Sequence, residues 1–281
     1  MLVGAVSKKL IMNVPDVGVN QTNAAQALFR RKADILILGA SRANHSYNCK
    51  QIEDSLGLSA YNAGRDGQNM VYAAMVFYAY LERYTPKIVI LDVSSSQVSG
   101  EWNSHLNEMN CFYGMSMPVD EIIDHISSFA DRLKSHSNLY RYNNTWQWLL
   151  QAHLAKSQAD LDGFRPMPVN ESTNFKSVIK NDKFIADTLN VGYFNKIVKT
   201  CKEKNIKLIL SYTPSLMIDK GNFQLWLKNF AKTHCLMLMD YADDSRFTNH
   251  PELFYDMTHL NSKGADLFTK DFLEKINIQI K

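Results

Sequence analysis

The chain alternates between short, wholly apolar runs and longer helical stretches. Asp34-Ile35-Leu36-Ile37-Leu38 closes on Gly39, and Ile88–Leu91, Leu208–Leu210 and Leu236–Met239 have the same character. Leu58–Tyr61 is a weaker version. Such runs lack the polar–apolar alternation of a half-exposed strand, so they predict parallel strands covered on both faces. Between them lie helical segments at Asn48–Leu56, Gln68–Tyr84, Val191–Lys204, Phe223–Thr233 and Ser262–Ile276. The second is apolar almost all round, which predicts burial on most sides. The last follows Asn261 and Ser262, either of which can cap it. Strands alternating with helices predict an α/β fold, a doubly wound parallel sheet of about five strands between two helical layers.

The alternation stops between residues 99 and 180. Within that stretch Val119, Ile122, Ile123, Ile126, Phe129, Ala130 and Leu133 mark one helical face across Pro118–His136. Ser116 can cap that helix, and Pro118 suits its first turn. A second helix is expected over Thr145–Lys156, and Gly163–Asn174, with Pro166 and Pro168, reads as a loop. Residues 99–180 therefore read as a helical insertion, or lid, within one domain spanning 1–281. No internal repeat or low-complexity tract is visible.

Composition narrows the class without naming a function. Of 281 residues, 46% are hydrophobic and 21% charged, as in ordinary folded domains. A net charge of +3, with no dense basic run, gives no footprint for nucleic acid. Cys49, Cys111, Cys201 and Cys235 form no close pair, and the apolar neighbours of Cys201 and Cys235 favour buried thiols over disulfides. The longest apolar run, Met70–Leu81, has 12 residues, short of the ~20 that span a bilayer. Met1–Met12 is weakly apolar, broken by Lys8 and Lys9, and reads as a short tail or the stump of a removed anchor.

In open α/β sheets, ligands bind beyond the carboxyl ends of the strands. Three segments follow strands there. Gly39-Ala40-Ser41-Arg42 puts a serine directly after the first strand, where a following helix would favour a developing anion. By itself, Ser41 reads equally as a helix cap. Asn62-Ala63-Gly64-Arg65-Asp66-Gly67-Gln68 permits a tight turn, and the Gly67 amide could face an oxyanion; a plain strand-to-helix turn is the alternative. Asp256-Met257-Thr258-His259 precedes the closing helix and can place a carboxylate beside an imidazole. That pair would supply the base that a weakly nucleophilic serine needs. Local capping with a surface histidine is the other reading. The three segments gain weight together, because all fall at one edge of one sheet.

These segments resemble the SGNH (GDSL-like) hydrolase superfamily. The resemblance rests on Ile37-Leu38-Gly39-Ala40-Ser41-Arg42, on Asn62-Ala63-Gly64-Arg65-Asp66-Gly67, and most specifically on Asp256-Met257-Thr258-His259 with Leu260-Asn261-Ser262-Lys263-Gly264. It spans both ends of the chain and not the insertion. It implies a flavodoxin-like three-layer α/β/α sandwich that hydrolyses or transfers acyl esters without metal or cofactor. Ser41 would be nucleophile, His259 general base and Asp256 its orienter, with the Ser41 and Gly67 amides in the oxyanion hole. Family members usually add an Asn from a Gly-x-Asn-Asp motif. Here the corresponding stretch reads Leu91-Asp92-Val93-Ser94-Ser95-Ser96-Gln97, leaving a serine hydroxyl such as that of Ser94, or Gln97, to substitute. Members with Gly-x-Ser-Arg resemble exported or membrane-anchored proteins that handle acetyl groups of bacterial surface polysaccharides. The resemblance thus implies an ester or carbohydrate substrate and a cell-envelope location. A catalytically weak glycan-binding protein on the same fold is the alternative.

Other residues admit two readings each. Trp102, Trp146 and Trp148 could stack on sugars or pack the insertion. Arg42 and Arg65 could hold a substrate group or pair with a carboxylate. His45, four residues after Ser41, could reach the cleft, though a surface position is the stronger reading. Asp256, His259 and His250 lack the tight spacing of a metal site.

Overall fold

The computed structural model describes residues 2–17, 20–101, 103–155, 161–169, 175–180, 183–219 and 221–280. The described residues include seven strands: β1 (Ile35–Leu38), β2 (Ala60–Asn62), β3 (Ile88–Asp92), β4 (Val178–Lys180), β5 (Lys207–Tyr212), β6 (Met217–Asp219) and β7 (Met237–Asp240). Five form one all-parallel sheet in the order β2-β1-β3-β5-β7, and β4 pairs with β6 in a separate parallel ribbon. The chain starts in the interior of the main sheet, steps out to β2, then reverses past β1 to β3. The reversal makes the carboxyl ends of β1 and β3 the switch point where doubly wound sheets open a crevice.

Each strand's pleat sends alternate residues into opposite cores. Ile35, Ile37, Ile88, Ile90, Ile209 and Met239 pack with Ile52, Phe268 and Phe272, on the helices Cys49–Leu56 and Ser262–Ile280. Leu36, Leu38, Val89, Leu91, Leu208 and Leu210 pack on the other face with the helices Met70–Leu81, Thr188–Glu203 and Asn222–Thr233. The result is the expected three-layer sandwich. Of the 12 residues in Met70–Leu81, all but Tyr78 and Leu81 are buried, which accounts for its apolar composition on every side.

The insertion departs from expectation in its details. Pro118–His136 is not one helix but two, Met117–Ile126 and Phe129–Ser135. Ser127 turns extended and the Ser128 hydroxyl accepts from the Asp131 amide at 3.2 Å, so side-chain bonding to the backbone interrupts the helix. Val119, Ile122 and Ile123 are buried, whereas Phe129 and Leu133 are 72% and 58% exposed. The second predicted helix runs Thr145–Leu154; Lys156, Trp102 and residues 170–174 of the predicted loop lie outside the described residues. Trp148 and Leu149 are buried in the same core as Leu36 and Val89, and Trp146 packs against it. The insertion is thus a continuation of the sandwich's core.

Two further expectations are corrected. Leu2–Met12 is a helix packed against Asn138–Tyr142 and Thr145–Leu154, with Ile11 fully buried, so it is not a loose tail. Its weak apolar character fits an amphipathic helix covering a neighbour. Cys49, Cys111 and Cys201 are buried free thiols, but Cys235 is exposed. At φ +53° Cys235 ends the helix Asn222–Thr233, where the Leu236 amide donates back to Ala231 at 2.9 Å. No helix among the described residues is long and apolar enough to cross a membrane.

Candidate active site

The nucleophile turn is built on Gly39. Its φ is +148°, and a Cβ there would lie 2.7 Å from Ala43 Cβ and 2.9 Å from the Asp92 carbonyl. The absent side chain lets the chain leave β1 and enter the short helix Ser41–Ser46 at once. Ser41 is therefore a first-turn residue whose amide has no partner within the helix. The Arg65 amide donates to the Gly39 carbonyl at 3.2 Å, drawing the glycine-rich segment alongside this turn.

The opposite wall comes from the loop before the closing helix. An antiparallel bridge between Phe254 and Leu260, with the Tyr255 amide donating to the His259 carbonyl at 2.8 Å, closes it. Asn261 Oδ1 accepts from the Gly264 amide at 3.0 Å and so caps the helix. In this loop His259 Nδ1 lies 2.8 Å from Asp256 Oδ2, and His259 Nε2 lies 2.7 Å from Ser41 Oγ. Asp256 Oδ1 also accepts from the amides of Thr258 and His259, at 2.7 and 2.9 Å, and from the Thr258 hydroxyl at 3.0 Å. Burial alone would raise the Asp256 carboxyl; the bonds from His259 and the Thr258 amide outweigh it and hold the group well below the ordinary carboxylate range. Its Nδ1 donating to a carboxylate, His259 presents the Nε2 lone pair to Ser41.

A cleft of about 290 Å³ opens over these groups. Ser41, Arg42, Ser94, Ser95, Ser96 and His259 line its floor, and Lys183, Phe184, Ile185, Tyr212 and Met217 are among the residues enclosing it. Arg42 reaches it, fixed by a bond of 3.1 Å to the Thr213 carbonyl and by the Tyr212 ring, 4.8 Å below its guanidinium. Gly67, at φ +66°, makes the turn into Met70–Leu81 and is not among the residues lining the cleft.

Two of the expected substrate contacts point elsewhere. Arg65 is turned away from Ser41 into the insertion, where its guanidinium, 1% exposed, pairs with Glu108. Gln97 is fully buried: its Oε1 accepts from the Ser94 amide at 2.8 Å and the Ser94 hydroxyl at 3.1 Å. That capping uses Gln97 Oε1 and the Ser94 hydroxyl proton, while Gln97 Nε2 is buried without a partner; Ser95, Ser96, Ser99 and Ser215 are further serines lining the cleft.

Asp92 shapes the site without any signal in the sequence around it. Asp92, closing β3, lies fully buried behind Gly39 and accepts from Tyr47 Oη at 2.9 Å and the Thr213 amide at 3.3 Å. Burial raises its carboxyl, and the Arg42 charge and these bonds offset only part of that. His45 is buried rather than on the surface. His250 pairs with Glu252 at 2.9 Å, and among the described residues no group of three or more His, Cys, Asp or Glu side chains is placed to hold a metal ion.

No protein-family model matches the chain, and no curated protein matches it in sequence.

Proposed function

We propose that the protein is a serine-dependent esterase or O-acyltransferase that works through an acyl-enzyme on Ser41, acting on an ester of a carbohydrate such as an acetyl ester. The unbroken chain of contacts from Ser41 through His259 to Asp256, at the switch point of the sheet and open to a cleft, carries this reading.

In the first half-reaction Ser41 Oγ attacks the ester carbonyl carbon while its proton passes to His259 Nε2. Asp256 stays ionised, holds the imidazole in place and balances the imidazolium. The carbonyl oxygen becomes an oxyanion beside the Ser41 amide, with the cleft-wall serines as candidate further donors. The carbon–oxygen bond to the alcohol then breaks, and His259 returns the proton to the departing oxygen. In the second half-reaction water or an acceptor hydroxyl gives its proton to His259 and attacks the acyl carbon; the bond to Ser41 Oγ then breaks, and His259 returns the proton to that oxygen. The acceptor alone separates hydrolase from transferase. The likeness to envelope proteins extends the proposal to that location, which fractionation of the producing cell would test.

The decisive experiment is incubation of the folded protein with 4-nitrophenyl acetate and, separately, with a fluorophosphonate. Turnover is expected, with the phosphonate adduct on Ser41 by peptide mass spectrometry. Absence of both, with Ser41→Ala indistinguishable from parent, overturns the reading and leaves glycan binding as the function to assay.

A further inference from the structure

A second imidazole–carboxylate pair stands behind the first. His45 lies one helical turn after Ser41 and its side chain is 6% exposed. Its Nδ1 is 2.6 Å from the Arg165 carbonyl oxygen, which can only accept, so that nitrogen carries a hydrogen. Its Nε2 is 3.1 Å from Asp66 Oδ1, an ion-pair distance at an angle outside that of a hydrogen bond. Asp66 in turn accepts from Asn44 Nδ2 at 2.8 Å. The His45 ring meets the His259 ring at 89°, with centroids 5.6 Å apart.

We propose that His45, held by the Arg165 carbonyl and set against Asp66, is a positioning residue for the His259 imidazole, an inference that rests on the acyl-transfer reading of Ser41. The two hydrogen bonds of His259 lie in its ring plane and fix its two nitrogens. They resist tilting out of plane poorly, and the bond to Ser41 must break in every cycle as the proton moves. A ring packed at right angles restrains that tilt throughout and needs no proton to do so.

The support for His45 is rigid. Arg165 donates its amide to the Asn44 carbonyl at 3.0 Å, and its side chain donates to Asn23 Oδ1 at 2.9 Å and Thr22 Oγ1 at 2.9 Å. Two residues earlier, Gly163 at φ +82° passes so close to β2 that a Cβ would lie 2.0 Å from the Asn62 carbonyl oxygen. The return from the insertion is thereby locked onto the nucleophile helix, which connects residues far from the cleft to the imidazole.

Charge acts in the same direction. Burial would raise the Asp66 carboxyl, but the adjacent His45 imidazole, the Asn44 bond and the His259 charge together lower it. An ionised Asp66 is of the sign that balances the positive charge His259 gains as it takes the Ser41 proton. The charged groups facing this pair are His259, backed by Asp256, and the Arg165 guanidinium, backed by Asp16 at 3.7 Å.

The test is steady-state hydrolysis of 4-nitrophenyl acetate by the parent, His45→Ala, His45→Phe and Asp66→Asn, each first checked for folding by circular dichroism. His45→Ala is expected to lower kcat about 10- to 100-fold, with KM changed less than about 2-fold, the scale of a misplaced catalytic group. His45→Phe, which keeps a ring but not the polar bonds, is expected to recover most of that loss. Asp66→Asn, which removes the charge facing the His45 ring, is expected to lower kcat about 3- to 10-fold with KM little changed. Unchanged kcat in His45→Ala, or a Phe variant as impaired as the Ala variant, overturns the positioning role while Ser41-dependent turnover by the parent keeps the acyl-transfer reading. Should His45→Ala fail to fold, Asp66→Asn decides: an unchanged kcat overturns the pair. A parent without Ser41-dependent turnover overturns the acyl-transfer reading itself, and the proposal with it.

Discussion

Ser41 Oγ and His259 Nε2 lie 2.7 Å apart although 218 residues separate them. The contact is held by the packing of the closing helix on the nucleophile helix. Thr269 Oγ1 donates to the Ser46 carbonyl at 3.0 Å and accepts from the Asn48 amide at 3.0 Å. Below it the Tyr47 ring meets Phe268 and Phe272 edge-on, at 5.2 and 5.5 Å. The two ends of the chain are thus one packed unit, and the site inherits its geometry from that unit.

If this geometry performs acyl transfer, removing either end of the contact has the same consequence. Ser41→Ala and His259→Ala are each expected to lower kcat for an activated ester by about 10⁴-fold or more, and the double variant by little beyond either one. Asp256→Asn is expected to cost about 10⁴-fold, because an amide can stabilise the wrong imidazole tautomer. Steady-state rates on the four variants check this; strictly additive losses would mean that the residues do not act as a unit.

The low-lying carboxylates make stability depend on acid in a definite direction. Asp256 has a folded-state pKa below its unfolded value, as does Asp244 beside Arg246. In such groups the stabilisation is complete above the unfolded carboxylate range, about pH 4, and is lost as pH falls through the folded value. The melting temperature is therefore expected to decline as pH drops from about 5 towards 2. Asp256→Asn should flatten part of that decline, measured by thermal scans across the range.

Much of the frame was legible because parallel strands buried on both faces leave unbroken apolar runs. Ile35–Leu38 and Ile88–Asp92 declare themselves in that way, and the residues after them fall at the sheet's carboxyl edge by topology alone. What stayed hidden depends on distant partners. Nothing around His45 signals a carbonyl 120 residues away at Arg165. The direction of Arg65 is set by Glu108 in the insertion, and Gln97, expected as a possible oxyanion donor, caps the short helix Ser95–Ser99. The break between Ile126 and Phe129 turns on two serines whose preference for capping competes with an otherwise continuous apolar stripe.

Gly39 offers a test of how much the site depends on its turn. Gly39→Ala must place a Cβ 2.7 Å from Ala43 Cβ at φ +148°, so the backbone on either side has to shift. A cost above about 1 kcal/mol is expected from the φ alone. Because the shift falls two residues before Ser41, the loss of kcat should exceed what any lowered melting temperature explains at the assay temperature. A variant that melts lower but keeps full kcat would show that the turn serves folding only.

The last prediction concerns the insertion. A lid that rides on a finished domain can loosen without unfolding what lies beneath it, whereas an extension of the core cannot. Leu149, 1% exposed, belongs to the same cluster as Leu36 and Val89 of the sheet and Phe77 of the buried helix. Leu149→Ala is therefore expected to destabilise the whole protein by about 2–5 kcal/mol, the range for large-to-small changes in a packed core. Denaturant unfolding followed by tryptophan fluorescence and by far-ultraviolet circular dichroism should give one coincident transition, shifted together. The fluorescence probe is informative because Trp146 and Trp148 lie in the insertion while Trp226 lies on Asn222–Thr233, packed with Phe223 and Phe230. An early fluorescence change that leaves the circular dichroism signal in place would instead make the insertion a separately folding lid.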